Sequence, residues 1–293
     1  MREDPFLARL GINVPYEWWP AAALLKSFEA GGFGWVQIPA PPASVLRSPR
    51  ESLEHASAVC AALDTTGLDV VVHGPGVLTA GARDDDRAFE GLLSYAAEAG
   101  ARAVVYHGRN FPDAPDGEDL ALAETRSLAR RAELAERLGV TIAVENLAPV
   151  FPGPERLGHT PMLLRTLCRR ISSPALGLCL DLGHAHVVAE SRRAEIRDLI
   201  EPVLDSVVLF HLHDNLGARR SGSSRPDLDP LRLDLHLPPG EGTLPWTTIA
   251  PSLRAHRAPL ILEIHPPHRP DPTALFESTA GLLSTPAPSA AVS

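Results

Sequence analysis

From residue 10 onward, short apolar runs alternate with longer stretches of helical character. The apolar runs cover residues 10–14, 35–38, 69–72, 103–106, 140–144, 175–180, 206–210 and 260–262. They are continuously apolar rather than alternating with polar residues, as in strands buried on both faces. The helical stretches cover residues 21–30, 51–63, 84–99, 120–138, 162–170, 193–203 and 246–256, and a last one begins at Asp271-Pro272. Local signals support this division. Gly31-Gly32, Gly100 and Gly139 mark helix ends, and Thr160-Pro161 offers an N-cap followed by proline at the first helical position. In the longest stretch Leu128, Ala132, Ala135 and Leu138 share one face.

Eight strands alternating with eight helices predict an α/β fold, a (β/α)8 TIM barrel in a single domain spanning residues 1–284. A doubly wound open sheet would accommodate the same alternation, but no GxGxxG follows the first strand. Residues 285–293, mostly Ser, Pro and Ala, are expected to form a disordered tail. The connection over residues 215–245 far exceeds a usual short loop and is expected to act as a lid.

Composition narrows the function classes. With 44% apolar and 22% charged residues the chain reads as soluble and globular. A net charge of −9 argues against nonspecific nucleic-acid binding, which needs clustered Lys and Arg. Cys60, Cys168 and Cys179 are far apart and lack CxxC spacing, which fits reduced thiols. No apolar run approaches the roughly 20 residues of a membrane span, and Met-Arg-Glu-Asp does not resemble a signal peptide. The expectation is a cytoplasmic protein without membrane or nucleic-acid partners. It would act on a small-molecule substrate, with self-association into a homo-oligomer left open.

The chemistry sits where the apolar runs stop. Strands three to eight end in His73, His107, Glu145, Asp181, His211 and Glu263. Any one of these alone reads as a cap or a satisfied polar residue. Six in a row, all good metal ligands and all at the end where barrel active sites lie, point to bound metal. Other residues extend the set. Helical spacing would bring His184 back beside Asp181, while His186 is expected to point elsewhere. His213 shares the strand side of His211 and reads as a substrate contact or a support for a ligand. Asp234 and His236 have the spacing of two ligands on one face of an extended segment.

The segments VENL (144–147), CLDLGHA (179–185), HLHDN (211–215), DLHLPPGEG (234–242) and LEIHP (262–266) resemble the xylose-isomerase-like TIM barrels. That superfamily includes sugar-phosphate isomerases and epimerases and the endonuclease IV-type AP endonucleases. The resemblance implies that Glu145, Asp181, His211 and Glu263 hold a single Mn, Co or Mg ion, as in the epimerase-like members. It also implies that His73, His107, His184, Asp234 and His236 complete a trinuclear zinc site, as in the endonuclease branch. The cofactor would then be one to three divalent ions.

Two departures from the family pattern bear on function. The endonuclease branch carries a basic, aromatic DNA-entering loop after its second strand, where this chain has Gln37-Ile38-Pro39-Ala40-Pro41-Pro42. The epimerase branch places an Arg soon after the strand-seven His, and here Arg219 and Arg220 are close but out of register. The resemblance thus leads first to a metal-dependent isomerase or epimerase of a sugar, sugar phosphate or related polyol or keto compound. Glu145 and Glu263 would move a proton through an enediolate, and His184, His213 and His236 would contact substrate. The alternatives are a multinuclear phosphoester hydrolase, more plausibly of small molecules than of DNA, or a metal-dependent dehydratase or lyase.

Overall fold

A computed structural model describes residues 4–150, 153–217 and 233–284. The strands are β1 (Leu10–Asn13), β2 (Trp35–Pro39), β3 (Asp69–His73), β4 (Ala103–His107), β5 (Thr141–Glu145), β6 (Leu176–Asp181), β7 (Val207–Leu212) and β8 (Leu260–Leu262). All pair in parallel in sequence order, and β8 returns to β1 to close the barrel. The helices are α1 (Ala22–Ala30), α2 (Ala43–Leu46), α3 (Pro49–Leu63), α4 (Arg83–Glu98), α5 (Gly117–Leu138), α6 (Pro161–Ile171), α7 (Leu182–Arg192), α8 (Ile196–Ile200), α9 (Trp246–Ala255) and α10 (Pro272–Ser284). This is the predicted single-domain (β/α)8 barrel.

Strand parity decides which side chains fill the barrel. Val71, Val105, Ala143, Cys179, Leu209 and Ile261 form a separate interior cluster. Their neighbours Val70, Val72, Val104, Val144, Leu178, Leu180, Phe210 and Leu262 belong to the main core beneath the helices. Two residues beyond the interior set, at the C-terminal ends, come His73, His107, Glu145, Asp181, His211 and Glu263. The same period of two therefore carries all six to the top of the barrel interior.

The register reinforces this. His107 pairs with Glu145, and Asp181 pairs with His211. Between β6 and β7 the register shifts at Leu178/Cys179. Without that shift Asp181 would face Phe210, and the imidazole of His211 would fall out of step with the other ligands. Lower in the barrel, a Cβ on Gly11 would lie 2.5 Å from Ile261 Cδ1 and 2.6 Å from Trp35 Cβ. A glycine there gives the interior room for those two side chains.

The helices differ from expectation in four places. The short α2 was not expected, and α7 was foreseen only as the helical turn that brings His184 beside Asp181. The stretch 193–203 is not one helix but α8 followed by a 3-10 turn over Glu201–Ser206, starting beside Pro202. The longest helix starts at Gly117 rather than residue 120.

Residues 218–232, including Arg219 and Arg220, lie outside the described residues, as does the tail 285–293. The middle of the expected lid thus lies outside the described residues. Its two described ends are tied together, with backbone N–H groups of Asp214 and Leu237 donating to each other's carbonyls at 2.7 and 2.9 Å. The buried Asp214 carboxylate accepts from the backbone N–H groups of Asn215, Gly240 and Leu244 and from Trp246 Nε1. A Cβ on Gly242 would meet Asp214 Oδ1 at 2.2 Å, which accounts for the second glycine of the GEG turn. No helix among the described residues is long and apolar enough to cross a membrane.

Candidate metal centre

The nine predicted ligands, joined by His213, converge at the C-terminal mouth as three adjoining groups. Glu145, Asp181, His211 and Glu263 form one. His73, His107 and again Glu145 form a second, and His184, His213, Asp234 and His236 a third. Within each group the ligating atoms lie within 4.8 Å of one another. Glu145 belongs to two groups. Its Oε1 lies 3.0 Å from His211 Nδ1, while its Oε2 lies 3.4 Å from His73 Nε2 and 3.3 Å from His107 Nε2.

The turn after β6 builds much of the site. Asp181 caps α7, its Oδ1 accepting from the His184 backbone N–H at 2.7 Å. One carboxylate thus starts the helix and faces the barrel mouth, and that cap places His184 one turn on, with Nδ1 3.5 Å from Asp181 Oδ2. His186 points away and meets Thr243 Oγ1 at 2.9 Å. Of the residues the sequence reading singled out, His186 is the one that the structure keeps apart from the three groups.

Two site residues were not named as such from the sequence. Gln37 on β2 donates its amide to Glu263 Oε1, and its Oε1 lies 2.8 Å from His211 Nε2. Asn146 accepts from the Asp181 backbone N–H at 2.9 Å and donates to the Asp181 carbonyl at 3.0 Å. The signal for Gln37 was present: a lone amide in an apolar strand, at interior parity. Position 37 drew attention only for a DNA-binding loop that this chain lacks.

The donor set fits divalent cations on two counts. First, the imidazoles are already turned for ligation. Nδ1 of His73, His184 and His236 donates to the carbonyls of Gly74, Asn146 and Glu263 at 2.8, 2.7 and 2.8 Å. A carbonyl can only accept, so each Nδ1 carries the proton, and in the neutral ring Nε2 keeps its lone pair. That Nε2 faces Glu145 in His73 and Asp234 in His184 and His236. Second, Glu145 Oε2 is buried and has no hydrogen-bond partner, although two imidazole nitrogens stand close to it. Two tetrahedral zinc ligands at about 2.0–2.1 Å from the ion lie about 3.3 Å apart. The spacings around Oε2 match that value.

Electrostatics agree. For Glu145, Asp234, His73 and His236 burial disfavours the charged form, but opposite charges prevail. Burial works to raise the Glu145 carboxyl, yet His211, His107 and His73 hold it well below its usual range. Asp234, opposed in the same way by burial, is held well below its range by His236 and His184. Against burial, Glu145 and Glu263 push His73 up to about 9, and Asp234 pushes His236 up to about 9. Glu145 and Asp234 are therefore held toward the ionised form and His73 and His236 toward the protonated form, and the protons on those two imidazoles are ones a cation would displace.

Beside the first group lies a recess of about 160 Å³, lined by Asn13, Val14, Tyr16, Gln37, Pro39, His73 and Glu263. It connects the buried ligands with the exposed ring of Tyr16.

The same architecture recurs in known proteins. Over 128 residues the chain is 30% identical to an uncharacterized protein of Methanocaldococcus jannaschii, which covers 44% of this chain and only 37% of that protein. It is 27% identical over 228 residues to probable endonuclease 4 of Mycobacterium leprae, covering 75% of this chain and 82% of the relative. Among solved structures, a D-tagatose 3-epimerase-like protein superposes with a TM-score of 0.71 at 20% identity, covering 94% of this chain and 96% of the other. Residues 25–284 match the family described as xylose isomerase-like TIM barrel. With most of its length in that match, the chain belongs to the xylose isomerase-like TIM barrel family.

Proposed function

We propose that the protein is a divalent-metal-dependent isomerase or epimerase acting on a small polyhydroxylated carbonyl compound of sugar type. One feature carries this reading. Glu145 at the end of β5 and Glu263 just past β8 approach His211 Nδ1 from opposite sides of β7, at 3.0 and 3.4 Å, and Glu263 also lines the recess. The residues that would hold the ion are Glu145, Asp181, His211 and Glu263. When bound, a divalent cation supplies Lewis-acid polarisation of a carbonyl and its neighbouring hydroxyl.

The remaining chemistry belongs to the side chains. Of the two glutamates, one removes the proton α to the carbonyl and the other returns it. Each contributes about 10²–10⁴-fold when correctly placed. Gln37 fixes the Glu263 carboxylate, and the half-buried His236 and His73 border the substrate space. Among the described residues no Lys or Arg lines this recess or its neighbour, and Glu17 lines the latter. The Glu17 carboxylate beside the site disfavours a phosphate there and favours an uncharged sugar. The exposed ring of Tyr16 offers an apolar face to its C–H groups. The epimerase-like name of the similar fold points the same way.

A second reading is favoured by one observation, the completeness of the second and third ligand groups. Adjoining metal ions suit in-line displacement at a phosphoester. The M. leprae relative carries the endonuclease name.

Turnover in heavy water separates the two. Manganese-loaded protein, incubated with a panel of unphosphorylated ketoses and aldoses, is expected to place deuterium at the carbon beside the carbonyl. Glu263→Gln should abolish that exchange. No carbon-bound deuterium across the panel, with phosphate ester cleaved from bis(p-nitrophenyl) phosphate, would establish the hydrolase instead.

A further inference from the structure

His213 stands outside the nine residues that the family resemblance implies as ligands, yet it is fully buried among them. Its Nε2 lies 3.0 and 3.2 Å from the two oxygens of Asp181. Its ring lies flat against that of His236, with centroids 3.9 Å apart and planes 11° from parallel. From the other side it presses on Gly183, where a Cβ would meet the imidazole Cε1 at 2.1 Å and Nδ1 at 2.4 Å. The ring is thus clamped between a glycine of the α7 start and an imidazole of the 234–236 segment, with its donor on a carboxylate of the first group.

We propose that His213 is a positioning residue, and not a ligand, that couples the first and third metal groups. The inference rests on the reading that these groups hold metal. An imidazole nitrogen binds an ion along a lone pair in the ring plane. Two parallel, face-stacked rings cannot both aim such lone pairs at one ion, so His213 and His236 do not share one. His213 Nε2 instead donates to Asp181. That carboxylate already accepts from the His184 backbone N–H through Oδ1 and stands 3.7 Å from His211 Nδ1 through Oδ2. The donation, made to Oδ2, fixes the carboxylate plane, and the remaining lone pair of Oδ2 is left for the first group. The stack holds the His236 ring, which sits on a backbone with φ of 50°, a left-handed conformation rare for a residue with a side chain. A support of this kind is typically worth about 10–100-fold in metal affinity.

The test measures metal binding and needs no substrate, so it stands apart from the fate of the isomerase reading. Cobalt or manganese is titrated into metal-free protein in competition with a chelator, giving both stoichiometry and Kd. His213→Phe keeps a ring for the stack but removes the donor. Unchanged stoichiometry is expected, with the first group's affinity weakened about 10–100-fold. His213→Gln keeps a donor and should recover part of that loss. Two results would overturn the proposal: affinity within about twofold of wild type in His213→Phe, or loss of one whole equivalent of metal at otherwise unchanged affinity, which would make His213 a ligand. Should His213→Phe fail to fold, Gly183→Ala displaces the same ring from its other side. The expectation and the two overturning results are the same for it.

Discussion

The first and third ligand groups occupy the same mouth but are built differently. Glu145, Asp181 and His211 are strand residues, and Glu263 directly follows β8. They are 1%, 0%, 0% and 8% exposed. Gln37 and Asn146 hold them from behind through hydrogen bonds. The third group draws its ligands from a helix start, His184, and from a segment past the undescribed residues 218–232, Asp234 and His236, with His213 from just past β7 as their support. Asp234 and His236 are partly exposed, and His236 carries the strained backbone. Ligand geometry set by a closed sheet is held more precisely than geometry set by a loop. The first group should therefore bind metal more tightly and carry the chemistry, with the third as an accessory.

The largest effect that this contrast predicts is for Glu145→Gln. It removes the charge shared by two groups, so metal content should fall by at least one equivalent and turnover by about 10²–10⁴-fold. Circular dichroism should show the barrel still folded. Retention of wild-type metal content and activity would remove the basis for placing the site at this mouth.

His236→Ala should do less. It is expected to lose the third group's metal while proton exchange at carbon falls by less than about tenfold, because the group making the chemical step is intact. A loss as deep as that of Glu145→Gln would show the two groups acting as one clamp, in line with hydrolysis.

The pH response of the metal-free protein is a subtler probe of the same carboxylate–imidazole matching. His73 and His236 are both raised to about 9 from 6.5, so the folded state binds their protons more tightly than the unfolded chain. The resulting stability is fully present below about pH 6.5 and is lost as pH rises through about 9. In chelator-treated protein Tm should fall across that window, and added metal should restore it at the alkaline end. A Tm that instead rises across the window without metal would contradict the proposed charge arrangement.

Much of this contrast was legible in the sequence, and the illegible parts have physical causes. The six ligands at strand ends could be read because each interrupts a continuous apolar run, and parity then carries them inward. Beyond the first turn that places His184, the α7 helix could not, because Leu182 through Ala189 are all buried and show no exposed polar face to reveal a helical period. Gln37 was passed over because a single amide in a strand carries no motif, and its role appears only when β2 lies beside β8 through β1. His184, Asp234 and His236 of the third group were named together from the family resemblance. Spacing alone gives Asp234 and His236 as two ligands on one face of an extended segment, and only folding brings His184 beside them.

The smallest expected effect lies beneath the first group. Gly11→Ala should overpack the interior against Ile261 and Trp35 and lower stability by about 1–3 kcal/mol. Metal content should not change, since the ligands stand one layer higher. Chemical denaturation with metal analysis would check both halves.

The most direct test of the central claim is to follow activity while metal is returned one equivalent at a time. Metal-free protein is titrated with manganese, and deuterium uptake at carbon is measured at each step. If the group of Glu145, Asp181, His211 and Glu263 performs proton transfer, uptake should rise linearly to its full value at the first equivalent and then stay flat. Activity that appears only as the second or third equivalent binds would contradict that claim.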